Sequence, residues 1–278
     1  MTFPTSFSSL KRAIPRPLKP AATGIYHHLF RLSLRVRFWF EDRFRTPRLD
    51  VPVPPAMLRY RVSELVPVGP FLSVGEGCAQ LIRRHIDLAN AGRVLDFGCG
   101  CGRTIRWLLD GSAEFHGVDV DVEGIDWCRK NLPRGHFLAT APTPPLPYPD
   151  EYFDVVYCFS VFTHLDEAMQ DLWLAEMKRI LKPGALLFLT VHGEVAARSL
   201  ESHDRQTLAD RGFVHKRTQK LKGLVPDWYQ TTWHSREYIV NKLSGGFEDI
   251  RYHAIPDSVQ DVVVARKLRA ATVREPVS

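Results

Sequence analysis

Between residues 76 and 191, apolar and polar positions alternate in blocks, each with the period of a helix or a strand. EGCAQLIRRHIDLAN (76–90) repeats its apolar residues at helical spacing and predicts a helix. Arg93–Phe97 is a short apolar run of strand length. A glycine cluster leads into a second predicted helix, with Ile105, Trp107, Leu108 and Leu109, that stops near Gly111. Then come a strand at 115–119, a helix at 122–132 ended by Pro133, and a strand at 136–140. Beyond the proline loop PTPPLPYP lie a strand at 152–159 and a helix at 166–181, with Met169, Trp173, Met177 and Ile180 inward. Lys182-Pro-Gly184 stops that helix, and Ala185–Val191 reads as a buried strand. Phe247–Ile255 and Gln260–Arg266 are two further strands joined by a short turn at Pro256-Asp257. The pattern predicts an α/β fold, a doubly wound, mostly parallel, seven-stranded sheet with helices on both faces. The last two strands leave no room for a helical crossover, so the last strand is expected to be antiparallel.

Upstream the pattern changes. Ile25, Leu29, Leu32, Val36 and Trp39 step by four, three, four and three residues, predicting one apolar face of a helix from Ile25 to about Phe44. Phe30, Leu34 and Phe38 fall elsewhere, so the stripe is wide and arginines sit between apolar groups. Residues 46–70, with six prolines, read as a linker over a surface. The chain therefore divides into a basic N-terminal helical segment, 1–48, and a body, 49–278, whose insert at about 195–245 separates the fifth and sixth strands.

Composition narrows the class. With 45% hydrophobic and 24% charged residues in 278, the chain is ordinary for a globular protein. The longest uncharged run has fifteen residues and five prolines; a membrane-spanning helix needs about 20 apolar residues, so none is expected. Five scattered cysteines, an odd number, point to reduced thiols and a cytoplasmic setting. Cys99 and Cys101 form C-x-C without a Cys/His quartet, which argues against a metal site. Residues 1–48 carry a charge of +8 and the other 230 sum to −2, so the basic character belongs to the N-terminal segment and argues against nucleic acid as the body's partner. Three readings of the basic helix stay open. It lies on an anionic membrane surface through residues 25–44, belongs to a transit peptide with ill-fitting prolines, or packs on the body or a partner chain.

The candidate chemistry centres on Val94-Leu-Asp-Phe-Gly-Cys-Gly-Cys-Gly-Arg103. Gly98, Gly100 and Gly102 allow a sharp turn and close approach of a ligand, and a helix N-terminus there offers free N–H donors. Such a loop marks a nucleotide-type site at the carboxyl ends of the strands. The spacing is G-x-G-x-G, unlike the dinucleotide fingerprint G-x-G-x-x-G, and Asp96 precedes it by two residues. A carboxylate there repels a pyrophosphate and suits a ligand bearing an amino group. Asp119 closes the second strand, where a carboxylate accepts both hydroxyls of a ribose.

With these residues the chain resembles the class I S-adenosylmethionine-dependent methyltransferases. Four blocks carry the resemblance in order: VLDFGCGCGR (94–103), GVDVD (117–121), LPYPDEYFDVVYCFSVFTHL (146–165) and LKPGALLFLTVHGE (181–194). It implies S-adenosyl-L-methionine as cofactor, a reversed final strand, and a methyl acceptor with a reactive oxygen or nitrogen. It further implies cofactor contacts from Asp96, Phe97, Gly98, Cys99, Gly100, Asp119, Val120 and Ser160. The family often places Asp or Asn after the third strand; here the stretch is Ala139-Thr-Ala-Pro-Thr143, leaving Thr140 or backbone groups for the adenine. Methyl transfer to a hydroxyl needs an aligned acceptor and a base; His164 is placed first and His192, at the end of the fifth strand, second. Trp228, Tyr229, Trp233, His234 and Tyr238 in the insert either stack on a small-molecule or glycan acceptor or form the core of a cap. Arg59, Tyr60 and Arg61 are either contacts to the cofactor carboxylate or surface residues. Two alternatives remain, a nicotinamide-dependent oxidoreductase and a non-catalytic binding module holding a partner through residues 1–48.

Overall fold

The computed structural model describes residues 32–47, 49–63, 66–217 and 230–269. Among the described residues there are nine strands: β1 (Arg93–Phe97), β2 (Glu114–Asp119), β3 (Gly135–Ala139), β4 (Phe153–Cys158), β5 (Leu181–His192), β6 (Phe213–Lys216), β7 (Thr231–His234), β8 (Phe247–His253) and β9 (Gln260–Lys267). Seven form one sheet in the order β3-β2-β1-β4-β5-β9-β8. β1 to β5 are mutually parallel, and β9 runs antiparallel to both neighbours. The expected sheet and reversed last strand are therefore present. Strand order reverses at β1 and β4, which opens a crevice at their carboxyl ends.

Besides the N-terminal helix, the described residues include α1 (Ala56–Ser63), α2 (Val68–His85), α3 (Val122–Asn131), α4 (Glu167–Ile180), α5 (Glu194–Ala197), α6 (Ser202–Arg211) and α7 (Arg236–Ser244). Alternation along β1 divides the core. Leu95 and Phe97 pack with Trp173 and Met177 of α4 and Ile239 of α7, whereas Val94 packs with Ile82 of α2 and Ile125 of α3. Caps fix where helices begin: Asp166 accepts from the Met169 N–H at 2.9 Å, and Ser235 from that of Tyr238 at 3.1 Å.

Four expectations need correction. The stretch read as a linker holds α1 and the start of α2, because prolines here open helices. Pro55 immediately precedes α1, Pro67 caps α2, and Pro70 sits in a first turn where its missing N–H has no cost. The helix placed at 76–90 accordingly starts at Val68 and ends at His85. The second predicted helix is only a 3₁₀ turn, Ile105–Trp107, within successive tight turns such as Trp107 N–H to Thr104 O and Gly111 N–H to Leu108 O. The insert adds a hairpin, β6–β7, outside the main sheet.

The N-terminal helix is the fourth. It runs through residues 32–40 and continues as a π-helical turn, Glu41–Arg45; its start lies outside the described residues. Leu34 and Phe38 pack against Ala56, Val66 and Tyr60, while Leu32, Val36 and Trp39 of the predicted inner face are exposed. The stripe was wide enough to have two sides, and α1 took the minor one. All five cysteines are free thiols, and no helix among the described residues is long and apolar enough to cross a membrane.

Candidate functional site

At the carboxyl end of β1 the chain makes its sharpest turn. Gly98, Gly100 and Gly102 all have left-handed φ, between 54° and 80°. At Gly98 a Cβ would lie 2.3 Å from Val161 Cγ2, so space and conformation both demand glycine. The α2 helix presses onto the same loop through Gly75, where a Cβ would meet the Arg103 carbonyl oxygen at 2.2 Å.

Four of the loop's N–H groups are engaged within the protein. Those of Gly98 and Cys99 donate to Val118 O at 2.8 and 3.0 Å, and that of Gly102 donates to Cys99 O at 2.9 Å. The Gly100 N–H donates to Asp119 Oδ2 at 2.7 Å. The element that follows is a single 3₁₀ turn and not the predicted helix, so the loop does not lead into an α-helical N-terminus.

Two carboxylates face the crevice in different states. Asp119 is half-buried at the end of β2; its Oδ1 accepts from Asp121 N–H at 2.8 Å, and the Val120 N–H adds a third backbone donor to the carboxylate. Asp121, not Asp119, caps α3. Asp96 is only 3% exposed, and its Oδ2 has no hydrogen-bond partner, although the Tyr157 hydroxyl and Arg103 guanidinium are neighbours. Burial pushes its carboxyl up to about 8, the Tyr157 hydroxyl and Arg103 opposing and Asp119 adding to the rise. Arg103 is itself buried, with Nε unpartnered. Two opposite, buried, unsatisfied polar groups in one crevice are what a ligand with complementary charges would satisfy.

The other sequence-predicted residues divide. Phe97 turns its ring into the core against Trp173, 4.5 Å between centroids, leaving its backbone to the loop. Cys99 is buried, its thiol packed against Gly117. Val120 and Thr140 are half-buried beside Asp119, the Thr140 N–H donating to Asp119 O at 2.9 Å. Ser160 has a left-handed φ of 60° after β4; its N–H donates to Thr190 Oγ1 at 2.9 Å and its hydroxyl accepts from Gln260 Nε2 at 2.7 Å. Arg59 and Arg61 are occupied elsewhere. Arg59 is fully buried and donates to Pro54 O and Val66 O; Arg61 pairs with Asp121 and Glu123, and Tyr60 lies against Phe38. Sequence reasoning missed Arg103 as a buried neighbour of Asp96, although it closes the glycine motif, and missed the Thr190–Gln260 support of Ser160.

The hairpin brings the two histidines together. His164 Nδ1 lies 2.6 Å from Gln230 O and His192 Nδ1 lies 3.0 Å from Thr232 O, at the edge of β7. A carbonyl can only accept, so both rings carry their proton on Nδ1 and present Nε2 as the basic nitrogen. Burial lowers both, His164 to about 4 against the opposing Gln230 bond and with a further push from His192. Trp233 stands over His192 at 5.9 Å. His234 and Tyr238 serve the cap, His234 bonded to Gln170 and Tyr238 to Glu167; Trp228 and Tyr229 lie outside the described residues. Among the described residues no three His, Cys, Asp or Glu side chains converge as a metal site requires.

Residues 95–189 match a family model described as a methyltransferase domain. An S-adenosylmethionine-dependent methyltransferase from Methanosarcina mazei is similar in structure, 20% identical, covering 68% of this chain and 98% of its own at a TM-score of 0.53. One from Mesorhizobium loti is 15% identical, covering 69% and 100% at 0.55. The glycopeptide N-methyltransferase MtfA, complexed with S-adenosyl-L-methionine, is 17% identical, covering 70% and 94% at 0.52.

Proposed function

We propose that this chain, whose residues 95–189 match a methyltransferase domain, transfers a methyl group from S-adenosyl-L-methionine to an oxygen or nitrogen of a small-molecule or carbohydrate-like acceptor. The observation that carries this reading is the buried Asp96, with Oδ2 unpartnered, beside a glycine loop that turns the backbone sharply at the end of β1. That pairing suits a ligand with a cationic amino group and no phosphate, which is the charge pattern of S-adenosyl-L-methionine. Bound there, the cofactor supplies an electrophilic methyl on a sulfonium.

The residues take distinct roles in this proposal. Asp96 accepts from the amino group, Asp119 accepts the ribose hydroxyls, and the backbone from Phe97 to Gly100 borders the methionine portion. Val120 and Thr140 would flank the adenine, and Ser160 would border the methionine portion. His192 and His164 take the acceptor's proton on Nε2. Of the two, His164 is the weaker base, because burial holds it near 4. The hairpin that pins both rings sets where the acceptor lies. A glycopeptide acceptor for MtfA accords with a carbohydrate-like acceptor here.

The oxidoreductase alternative fails to explain why a buried carboxyl, Asp96, sits where a pyrophosphate would bind. Calorimetry with S-adenosylhomocysteine and with NAD separates the two, binding in the micromolar range being expected for the first alone. A radiolabelled-methyl screen of glycans and small metabolites tests catalysis. Cofactor binding with no transfer to any acceptor would favour a non-catalytic module.

A further inference from the structure

The N-terminal helix carries a second apolar face that nothing among the described residues covers. At about 100° per residue, Leu32, Val36, Trp39 and Phe40 share an arc roughly opposite Leu34, Phe38 and Glu41. Trp39 is 62% exposed, Phe44 60% and Val36 59%. Trp39, Phe40 and Phe44 form one aromatic cluster, with centroid separations of 5.7 and 5.0 Å to Phe44. A contiguous outward patch of this kind marks a contact surface.

Charge identifies the occupant. Glu41 and Asp42, the only acids in residues 1–48, are both turned to the protein: Glu41 is buried, and Asp42 accepts the Ala56 N–H at 2.8 Å and pairs with Arg59 at 3.5 Å. Among the described residues no acid pairs with Arg35, Arg37 or Arg43, and Arg43 and Arg45 lie over the exposed Phe44 and Phe40 rings. Arg35, Arg37, Arg43 and Arg45 are all exposed, so the described part of this helix turns its positive charge outward. A second copy seated here would bring like charges together, and nucleic acid offers nothing to Leu32 and Val36. We propose that this face docks on an anionic membrane surface, with the aromatic and aliphatic side chains in the acyl–headgroup boundary and the arginines among the headgroups.

Sedimentation of the full-length protein with phosphatidylcholine vesicles, with and without phosphatidylserine, tests this. Binding is expected only with phosphatidylserine, and to weaken as salt rises. Arg35→Gln with Arg43→Gln should lower partitioning about 25-fold, at about fivefold per arginine. Trp39→Ser with Phe44→Ser should lower it at least about tenfold. Both pairs are exposed, so melting temperatures should hold. Absence of sedimentation at low salt, equal binding to neutral vesicles, or a Trp39-dependent dimer in ultracentrifugation would each overturn the proposal.

Discussion

The glycine-loop half of the crevice is tied together by neighbours in the sheet, and the histidine half by a distant hairpin. Gly98 and Cys99 donate to Val118, and Gly100 reaches Asp119 across 19 residues of one strand–turn–strand unit. His164 is pinned by Gln230 across 66 residues and His192 by Thr232 across 40. Thr232 is fastened in turn, its N–H donating to Thr163 O at 2.8 Å and its hydroxyl to Leu165 O at 2.8 Å. One half is thus part of the sheet; the other is a separate two-stranded piece docked against the loop after β4. A change of acceptor can be accommodated in the second without disturbing the first.

The largest expected effect tests that separation. His192→Ala should lower methyl transfer by about 10²- to 10⁴-fold, while S-adenosylhomocysteine affinity by calorimetry stays unchanged. A parallel loss of affinity would show that the halves are one unit. Asp119→Ala should weaken S-adenosylhomocysteine by about tenfold to a thousandfold, with Asp119→Asn between. It should also lower the melting temperature, because both oxygens hold backbone N–H groups of the loop and the α3 entry. Unchanged binding in Asp119→Ala would remove the ribose assignment. Thr232→Val deletes the hydroxyl that bonds Leu165 O and His215 and should cost about 1 kcal/mol of stability. Transfer should fall only several-fold, through a loosened His192, with S-adenosylhomocysteine binding intact.

The same division governs what could be read from the sequence. Three glycines, Asp96 and Asp119 lie at strand ends within one short stretch, so their spacing predicted the loop and its two acids. What spacing cannot show is which N–H groups the neighbouring strand consumes, or that Asp96 stays unpaired. The histidines were placed by strand ends alone. The carbonyls that fix their tautomers come from a segment whose docking leaves no local pattern. Prolines hid α1 and the start of α2 because Pro55 and Pro67 open helices as readily as they end them. The N-terminal helix inverted for a related reason. Periodicity finds an apolar stripe, but Tyr60 and Val66 decide which side of it is inside.

The central claim is that Asp96 is the group that answers the ligand's charge, and its pH dependence tests this most directly. Burial holds the Asp96 carboxyl near 8 in the ligand-free protein. Below that pH it is largely protonated, and pairing with an ammonium group must release the proton. S-adenosylhomocysteine affinity should therefore rise about tenfold per pH unit from pH 6 and level off near 8. Calorimetry in buffers of different ionisation enthalpy should detect close to one proton released at pH 6. Asp96→Asn should bind at least about a hundredfold more weakly than wild type at pH 8, with neither the slope nor the proton. A wild-type affinity that is flat across this range, or an Asp96→Asn protein that keeps the slope, would contradict the account.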